Sequence, residues 1–401
     1  MQKRSTPATT DEAQAGAAGP VERIARIAEI IERSGAANEA LGRLTPEVVD
    51  KLHEARLFRM LLPRAYDGDE VDLGTWFRAM EALGKLDGST AWCVGQINGC
   101  AASSSALDPP VARAIWSDPR AVLSWGPPNA SRADEVDGGH RLSGEWGFSS
   151  GSRHATWIGL MAPVFDTRGA PVRLPGGGTA FRIFLVPATS VEWVDNWDVL
   201  GLNATNSGGF KVSGLLVPQG YSIDRNHLSE VRVASPLYKF PLNGFFSVGF
   251  AAVALGTARA MLDAAVALAL EKTPRLAKTS LQQNHHVQFT IGEAEARLRS
   301  ARNYVMTTAG QTFDAVVASG KLTIAQRMDM RMASTFAIHE AKAVADAAWD
   351  VAGATAIFAS NPFERRMRDL RTLLQQAQGR RSHLQDTGAF LLGLDANLAF
   401  A

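Results

Sequence analysis

Cysteine is almost missing: the chain of 401 residues has two, Cys93 and Cys100. Seven positions apart on a predicted helix, they share a face but lie two turns from each other, beyond disulfide reach. No disulfide is expected, and a reducing cytoplasm fits. Excess charge of either sign is missing too. The 41 Lys and Arg against 40 Asp and Glu leave a net charge of +1. With no long basic run, nucleic acid and anionic membrane are poor partners. Long apolar runs are absent: the stretch from Phe245 to Leu255, broken by Gly249, falls short of the about 20 residues a bilayer requires. Residues 1–20 lack the apolar core of a signal peptide and read as a disordered tail. Cys and His never approach metal-ligand spacing, so no metal is expected, and the His285-His286 pair reads as a solvated helix turn. What is present is 46% hydrophobic residues, enough for a large core in two or three domains.

The pattern changes twice along the chain. Residues 21–110 carry helical apolar stripes: one over Val21–Ala40, one after a Thr45 N-cap with Pro46 behind it, one over Leu73–Leu86. A fourth helix, capped around Asp87 and starting near Thr90, is rich in small residues. Small residues permit close approach of either a flat ligand or a neighbouring helix, and the composition leaves both open. Residues 111–228 switch to short β-type runs between Gly, Pro, Asn and Asp: Val122–Trp125, His140–Phe148, Trp157–Val164, Ala180–Val186, Val191–Trp193 and Gly209–Val217. These predict a small antiparallel barrel or sandwich. Residues 229–401 return to helices: a segment over Phe245–Leu270 apolar nearly all round, two long amphipathic ones over Gln282–Val316 and Leu322–Val351, then Glu364–Gln378 and Ser382–Leu394. The expected fold class is α+β: a helical N-terminal domain, a central antiparallel β-domain and a C-terminal four-helix bundle.

One stretch, Leu142–Trp157 (LSGEWGFSSGSRHATW), combines a strand, two aromatics and two adjacent hydroxyls next to a glycine. Small polar residues beside Gly allow a backbone to approach a planar ligand, and Trp can wall one face of it. Read alone, the same stretch describes a β-hairpin with core aromatics and turn serines.

Three motifs in order resemble the acyl-CoA dehydrogenase superfamily, over essentially the whole chain from residue 21. They look most like its two-component flavin-dependent monooxygenases, which receive reduced flavin from a separate reductase. The first is Trp146-Gly147-Phe148-Ser149-Ser150-Gly151 with His154 and Trp157. The second is Asp195-Asn196-Trp197-Asp198-Val199-Leu200-Gly201-Leu202 with Thr205-Asn206-Ser207. The third is Pro362-Phe363-Glu364-Arg365-Arg366-Met367-Arg368-Asp369. The resemblance implies reduced FAD or FMN as cofactor. It implies Ser149 and Ser150 at the flavin's reactive edge, one of them near N5, as the catalytic hydroxyls. Trp125, Gly126, Trp146 and Phe148 would line the ring system, and Thr205 and Asn206 the pyrimidine or ribityl side. Arg275 would reach a neighbouring subunit's flavin phosphates, its planar fork suited to them, although a solvated surface arginine is an equal alternative. Gly353 would approach an adjacent subunit's nucleotide. A homotetramer is implied, and Arg368-Asp369 is expected to be a structural ion pair.

Departures from the family narrow the chemistry. An acyl-CoA dehydrogenase needs a carboxylate base for the α-proton. At the two positions where the family carries it, this chain has Gln376-Ala377-Gln378 and the carboxylate-free Asn243–Leu255. Phenol hydroxylases of the monooxygenase branch resemble one another in two histidines; here those positions are Cys100, eight after Trp92, and Gln376. Trp92, Cys100 and Gln376 are therefore the expected substrate-binding set, for a small, non-phenolic, aromatic or heteroaromatic substrate. His383 could turn in from the last helix, with a solvent-facing place the favoured expectation. The rivals are an acyl-CoA dehydrogenase-type oxidoreductase and a non-catalytic flavin-binding homologue.

Overall fold

Prolines and aspartates set the starts of the first helices. The computed structural model describes residues 18–398, apart from 176 and 276. Pro20 opens α1 (Pro20–Arg26) and Pro46 opens α3 (Pro46–Glu54), where a missing N–H costs nothing. The tail expected over 1–20 lies outside the described residues up to 17, but Pro20 itself is buried and helical. The single stripe expected over 21–40 is split at Ile27, and α2 (Ala28–Leu41) follows. Thr45 precedes α3 as expected but makes no side-chain cap; instead its N–H donates to Asn38 Oδ1 at 2.8 Å. α4 (Leu73–Leu86) is capped by Asp72, and α5 (Gly88–Ala102) by Asp87, whose carboxylate accepts from the Thr90 N–H at 2.8 Å. α6 (Pro109–Trp116) leads to the sheet.

The strands are β1 (Leu123–Trp125), β2 (Pro128–Val136), β3 (Gly139–Trp146), β4 (Trp157–Phe165), β5 (Phe181–Pro187), β6 (Glu192–Val194), β7 (Gly209–Pro218) and β8 (Ser222–Asp224). They form one sheet in the order β6-β7-β3-β2-β4-β5-β8, with β1 on β4. The antiparallel expectation needs correcting. β1 and β2 both run parallel to β4, so the sheet is mixed. β2 has no counterpart among the expected strands because PNASRADEV has no apolar alternation; the Asp137-Gly138 turn, with Gly138 at φ 78°, folds it onto β3. Nor is Leu142–Trp157 a hairpin: β2 lies between β3 and β4.

After the sheet come α7 (Leu242–Glu271), α8 (His285–Ser319), α9 (Ile324–Ala352), α10 (Phe363–Leu373) and α11 (Ser382–Leu391). The helix expected over 364–378 ends at Leu373 and gives way to a short turn, Ala377–Gly379. α7 is long and apolar enough to cross a bilayer by length and composition, but it packs against α4, α5, α8 and α9. Two glycines allow this: a Cβ on Gly256 would sit 2.2 Å from the Glu81 carbonyl oxygen, and one on Gly84 2.5 Å from that of Val253. Helices that precede and follow the sheet in the chain therefore share one apolar core, Ile24 to Leu373, while Leu142, Trp146, Leu160, Phe184 and Phe210 form a second within the sheet.

Candidate functional site

Two loops meet between the sheet and α5. One follows β3 (residues 147–151) and the other precedes β7 (residues 195–208). Backbone bonds stitch them: the Gly151 N–H donates to the Thr205 carbonyl at 2.9 Å and the Ser149 N–H to that of Gly208 at 3.4 Å. Ser124 on β1 adds its hydroxyl to the Ser150 carbonyl at 2.8 Å. Strain gathers here. Phe148 (φ 51°), Leu202 (φ 56°) and Asn206 (φ 41°) occupy the left-handed region, half of the six non-glycine residues that do so among those described. Such conformations persist only where the surroundings impose them, and they cluster at functional sites.

The two serines of the first motif have different environments. Ser149 is fully buried and its hydroxyl has no hydrogen-bond partner among the described residues. Ser150 Oγ accepts from the Trp92 indole N–H at 2.9 Å and lies 2.6 Å from Ser207 Oγ. Ser207 lies 2.6 Å from Thr205 Oγ1, which donates to the Leu202 carbonyl at 2.7 Å. Trp92, Ser150 and Thr205 are thus brought together. Ser207 stood in the quoted motif without a role; only its hydroxyl type hinted at one.

The remaining residues divide. Trp92 stacks on Phe250 of α7 at 3.7 Å and 9°. Gly99 admits Phe246, whose ring would stand 2.1 Å from a Cβ there, so at these positions the small residues of α5 serve close packing of aromatic rings. Cys100 is fully buried; its Sγ accepts from Gln96 Nε2 at 3.4 Å, and burial pushes the thiol well up. Gln376 is half-buried beyond α10. Its Oε1 accepts from the Gln378 N–H at 2.6 Å, and its Nε2 has no partner among the described residues. Trp125 is buried with its carbonyl on Gln96 Nε2 at 2.9 Å. A Cβ on Gly126 would meet the Gly147 carbonyl oxygen at 2.0 Å, so this glycine admits the loop itself. Phe148 is 68% exposed and edge-on to Trp197 at 5.9 Å.

Several expectations are corrected. Trp146, expected to line the ring system, points into the sheet core, stacked on Phe210 at 5.5 Å with its N–H on the Met161 carbonyl at 2.9 Å. Strand alternation puts it on the same face of β3 as Leu142, in that core. Asn206 donates to the Gly42 carbonyl at 2.8 Å, towards the N-terminal helices. Arg368 and Asp369 do not pair with each other. Arg368 holds Glu364 and Glu39, while the Asp369 carboxylate accepts from the Leu202 N–H at 2.6 Å. Burial, reinforced by the nearby Asp87 carboxylate, raises Asp369 to about 7. Gly201 is needed here because a Cβ would stand 2.2 Å from the Arg368 carbonyl oxygen. The third motif therefore braces the second. His383 is buried against Thr335 Oγ1 at 3.2 Å, not solvent-facing, and burial lowers it to about 4. His154 is likewise lowered to about 4 by burial, with Arg43 adding to the shift.

Arg275 and Gly353 lie elsewhere, exposed just past the C-terminal ends of α7 and α9. Lys272 Nζ ties their turns together by donating to the Ala352 carbonyl at 2.9 Å and Thr355 Oγ1 at 2.7 Å. Gly353 has φ 57° and ψ −139°, a conformation that excludes side chains. Among the described residues no group of His, Cys, Asp or Glu could hold a metal.

Known proteins share this architecture. The family described as acyl-CoA dehydrogenase, C-terminal domain, matches residues 248–379. An indole-3-acetate monooxygenase from Acinetobacter baumannii is 26% identical, with 88% of this chain and 88% of that protein covered. The oxygenase subunit HsaA of a flavin-dependent monooxygenase from Rhodococcus jostii is 27% identical, over 82% and 87% of the two chains. In structure, XiaF from Streptomyces, solved with FADH2 and glycerol, superposes with a TM-score of 0.88 at 24% identity, covering 96% of this chain and 97% of that one. Over most of its length the chain is thus similar to flavin-dependent monooxygenases, and over residues 248–379 it matches the acyl-CoA dehydrogenase C-terminal domain.

Proposed function

We propose that this chain is an oxygenase component. It takes reduced FAD or FMN from a separate reductase and oxygenates a small, non-phenolic, aromatic or heteroaromatic substrate with O2. The observation that carries the reading is the Ser149 hydroxyl, fully buried yet unpartnered at the seam of two strained loops. A buried hydroxyl without a partner is costly unless a ligand supplies one. A flavin's polar ring edge fits that need, and the chemistry it supplies when bound is two-electron activation of O2. The chain's own residues bind, orient and keep water out. Ser149 would donate to the ring edge, Ser150 and Thr205 would hold the loops on either side, and Phe148 with Trp125 would flank the ring. Trp92, Cys100 and Gln376 would line the substrate side, where Cys100 stays a neutral thiol under burial. None of the three titrates near neutrality, which suits a substrate that need not be deprotonated. The indole-3-acetate in the name of the relative from Acinetobacter supports the heteroaromatic class.

Arg275 and Gly353, exposed past the ends of α7 and α9, would meet the cofactor phosphates of a second subunit in a homotetramer, in the cytoplasm. The domain division 21–110, 111–228 and 229–401 belongs to the same proposal. The absence of a carboxylate at Gln376–Gln378 and over Asn243–Leu255 argues against acyl-CoA dehydrogenation. The test supplies reduced FMN or FAD and ¹⁸O₂ to the protein with indole as probe substrate. Product carrying one ¹⁸O is expected, and Ser149→Ala should divert most of the oxygen to H2O2. No labelled product from a panel of aromatic and heteroaromatic probes, or bleaching of a dye acceptor by an acyl-CoA, would overturn the reading.

A further inference from the structure

The hydroxyls around Ser150 form a chain whose direction is fixed by its acceptor end and agrees with the donor at the other. The Leu202 carbonyl can only accept, so Thr205 spends its single hydroxyl proton there, at 2.7 Å. In the 2.6 Å contact between Thr205 and Ser207 the donor must then be Ser207. In the 2.6 Å contact between Ser207 and Ser150 it must be Ser150. The Trp92 indole can only donate, and does so to Ser150 at 2.9 Å. Every link runs one way, from Trp92 through Ser150, Ser207 and Thr205 to Leu202. All the links are buried, where such chains polarise one another and an unmade bond is expensive. The far end is anchored in turn, since the Leu202 N–H donates to the Asp369 carboxylate at 2.6 Å.

We propose that Ser207 is a positioning residue. It consumes the Ser150 proton, clamps the 147–151 loop to the 195–208 loop, and so leaves Ser149 as the hydroxyl available to the cofactor. Ser207 sits at the centre of the chain and is the sole side-chain acceptor for the Ser150 hydroxyl among the described residues. Without it the Ser150 proton is released to any acceptor in the site, the flavin edge included. The Trp92 indole then donates to an oxygen no longer polarised from beyond. The consequence for turnover rests on the flavin reading above; the chain itself is a property of the protein without cofactor.

The apoprotein, labelled with ¹⁵N in its tryptophan indoles, reports on the chain directly once Trp92→Phe identifies the Trp92 signal. Ser207→Ala should move that indole proton upfield and speed its exchange with solvent by about tenfold, the equivalent of one lost hydrogen bond. Thr205→Val should move it in the same direction, and the double variant no further, because the chain acts as a unit. Ser207→Thr, which keeps the hydroxyl, should restore the signal. If its added methyl unfolds the protein, the Ser207→Ala, Thr205→Val and double-variant set decides alone. In the holoenzyme Ser207→Ala should lower product formed per O2 several-fold while flavin affinity stays within about threefold, the split expected of orientation without binding. An unmoved Trp92 signal in Ser207→Ala, or additive shifts in the double variant, overturns the proposal. Absence of product from the wild-type protein would overturn the flavin reading instead and leave the Trp92 result standing.

Discussion

The contact between α4 and α7 and the seam between the two site loops are both backbone brought very close to backbone, yet they are built differently. At the helix contact the closeness comes from omission: Gly84 and Gly256 have no side chain, and neither takes a positive φ. At the seam it comes from constraint. Phe148, Leu202 and Asn206 are held at positive φ, and one hydroxyl is left without a partner. The first arrangement contributes stability. The second spends it to keep a surface ready for something not part of the chain. The difference teaches where to look for function: at the place where local preferences are broken without a compensating bond.

Breaking the helix contact should have the largest effect. Gly256→Ala puts a Cβ where the Glu81 carbonyl oxygen stands 2.2 Å away. The helices must part, at a cost of about 3 kcal/mol or more, seen as a lower denaturant midpoint. Site chemistry per folded molecule should hold, so equal loss of specific activity would erase the contrast between the two regions. Next comes the anchor that holds Leu202 at the seam. Asp369, raised from 3.8 to about 7, holds a proton in the folded state that the unfolded chain releases. Its contribution to stability is therefore full below about pH 4 and lost as pH rises through about 7. Relative to wild type, Asp369→Asn should gain in melting temperature as pH rises across that window; parallel curves would show that the carboxyl is already ionised. The smallest effect belongs to the strain itself. Phe148→Gly should be more stable than Phe148→Ala by about 1 kcal/mol, since only glycine adopts φ 51° freely. A reversed order would mean the loop relaxes once the ring is gone.

How much of this was legible beforehand differs from element to element. α4 was bounded to the residue, because its apolar spacing and the cap signal at its end are local. The lack of apolar alternation in β2 hid it, since its place depends on β3 and β4. Ser149 and Ser150 were recognisable as a pair, but nothing local distinguishes two adjacent serines. The direction of Trp146 followed from strand pairing, and the partners of Arg368 and Asp369 from segments far away in the chain.

By itself the sequence determined the helix starts at Pro46, Leu73 and Ser382, the alternation between helical and β-type segments, the motif hydroxyls and the lack of a carboxylate base, all set by local propensity or residue type. Only the tertiary structure decided that Ser150 is bound and Ser149 free, that Trp146 faces the sheet core, and that Asp369 holds Leu202. Those outcomes depend on burial. Once water is excluded, each hydroxyl and carboxylate must take its partner from whatever distant segment the fold brings within reach, and that neighbour is written nowhere near it in the chain.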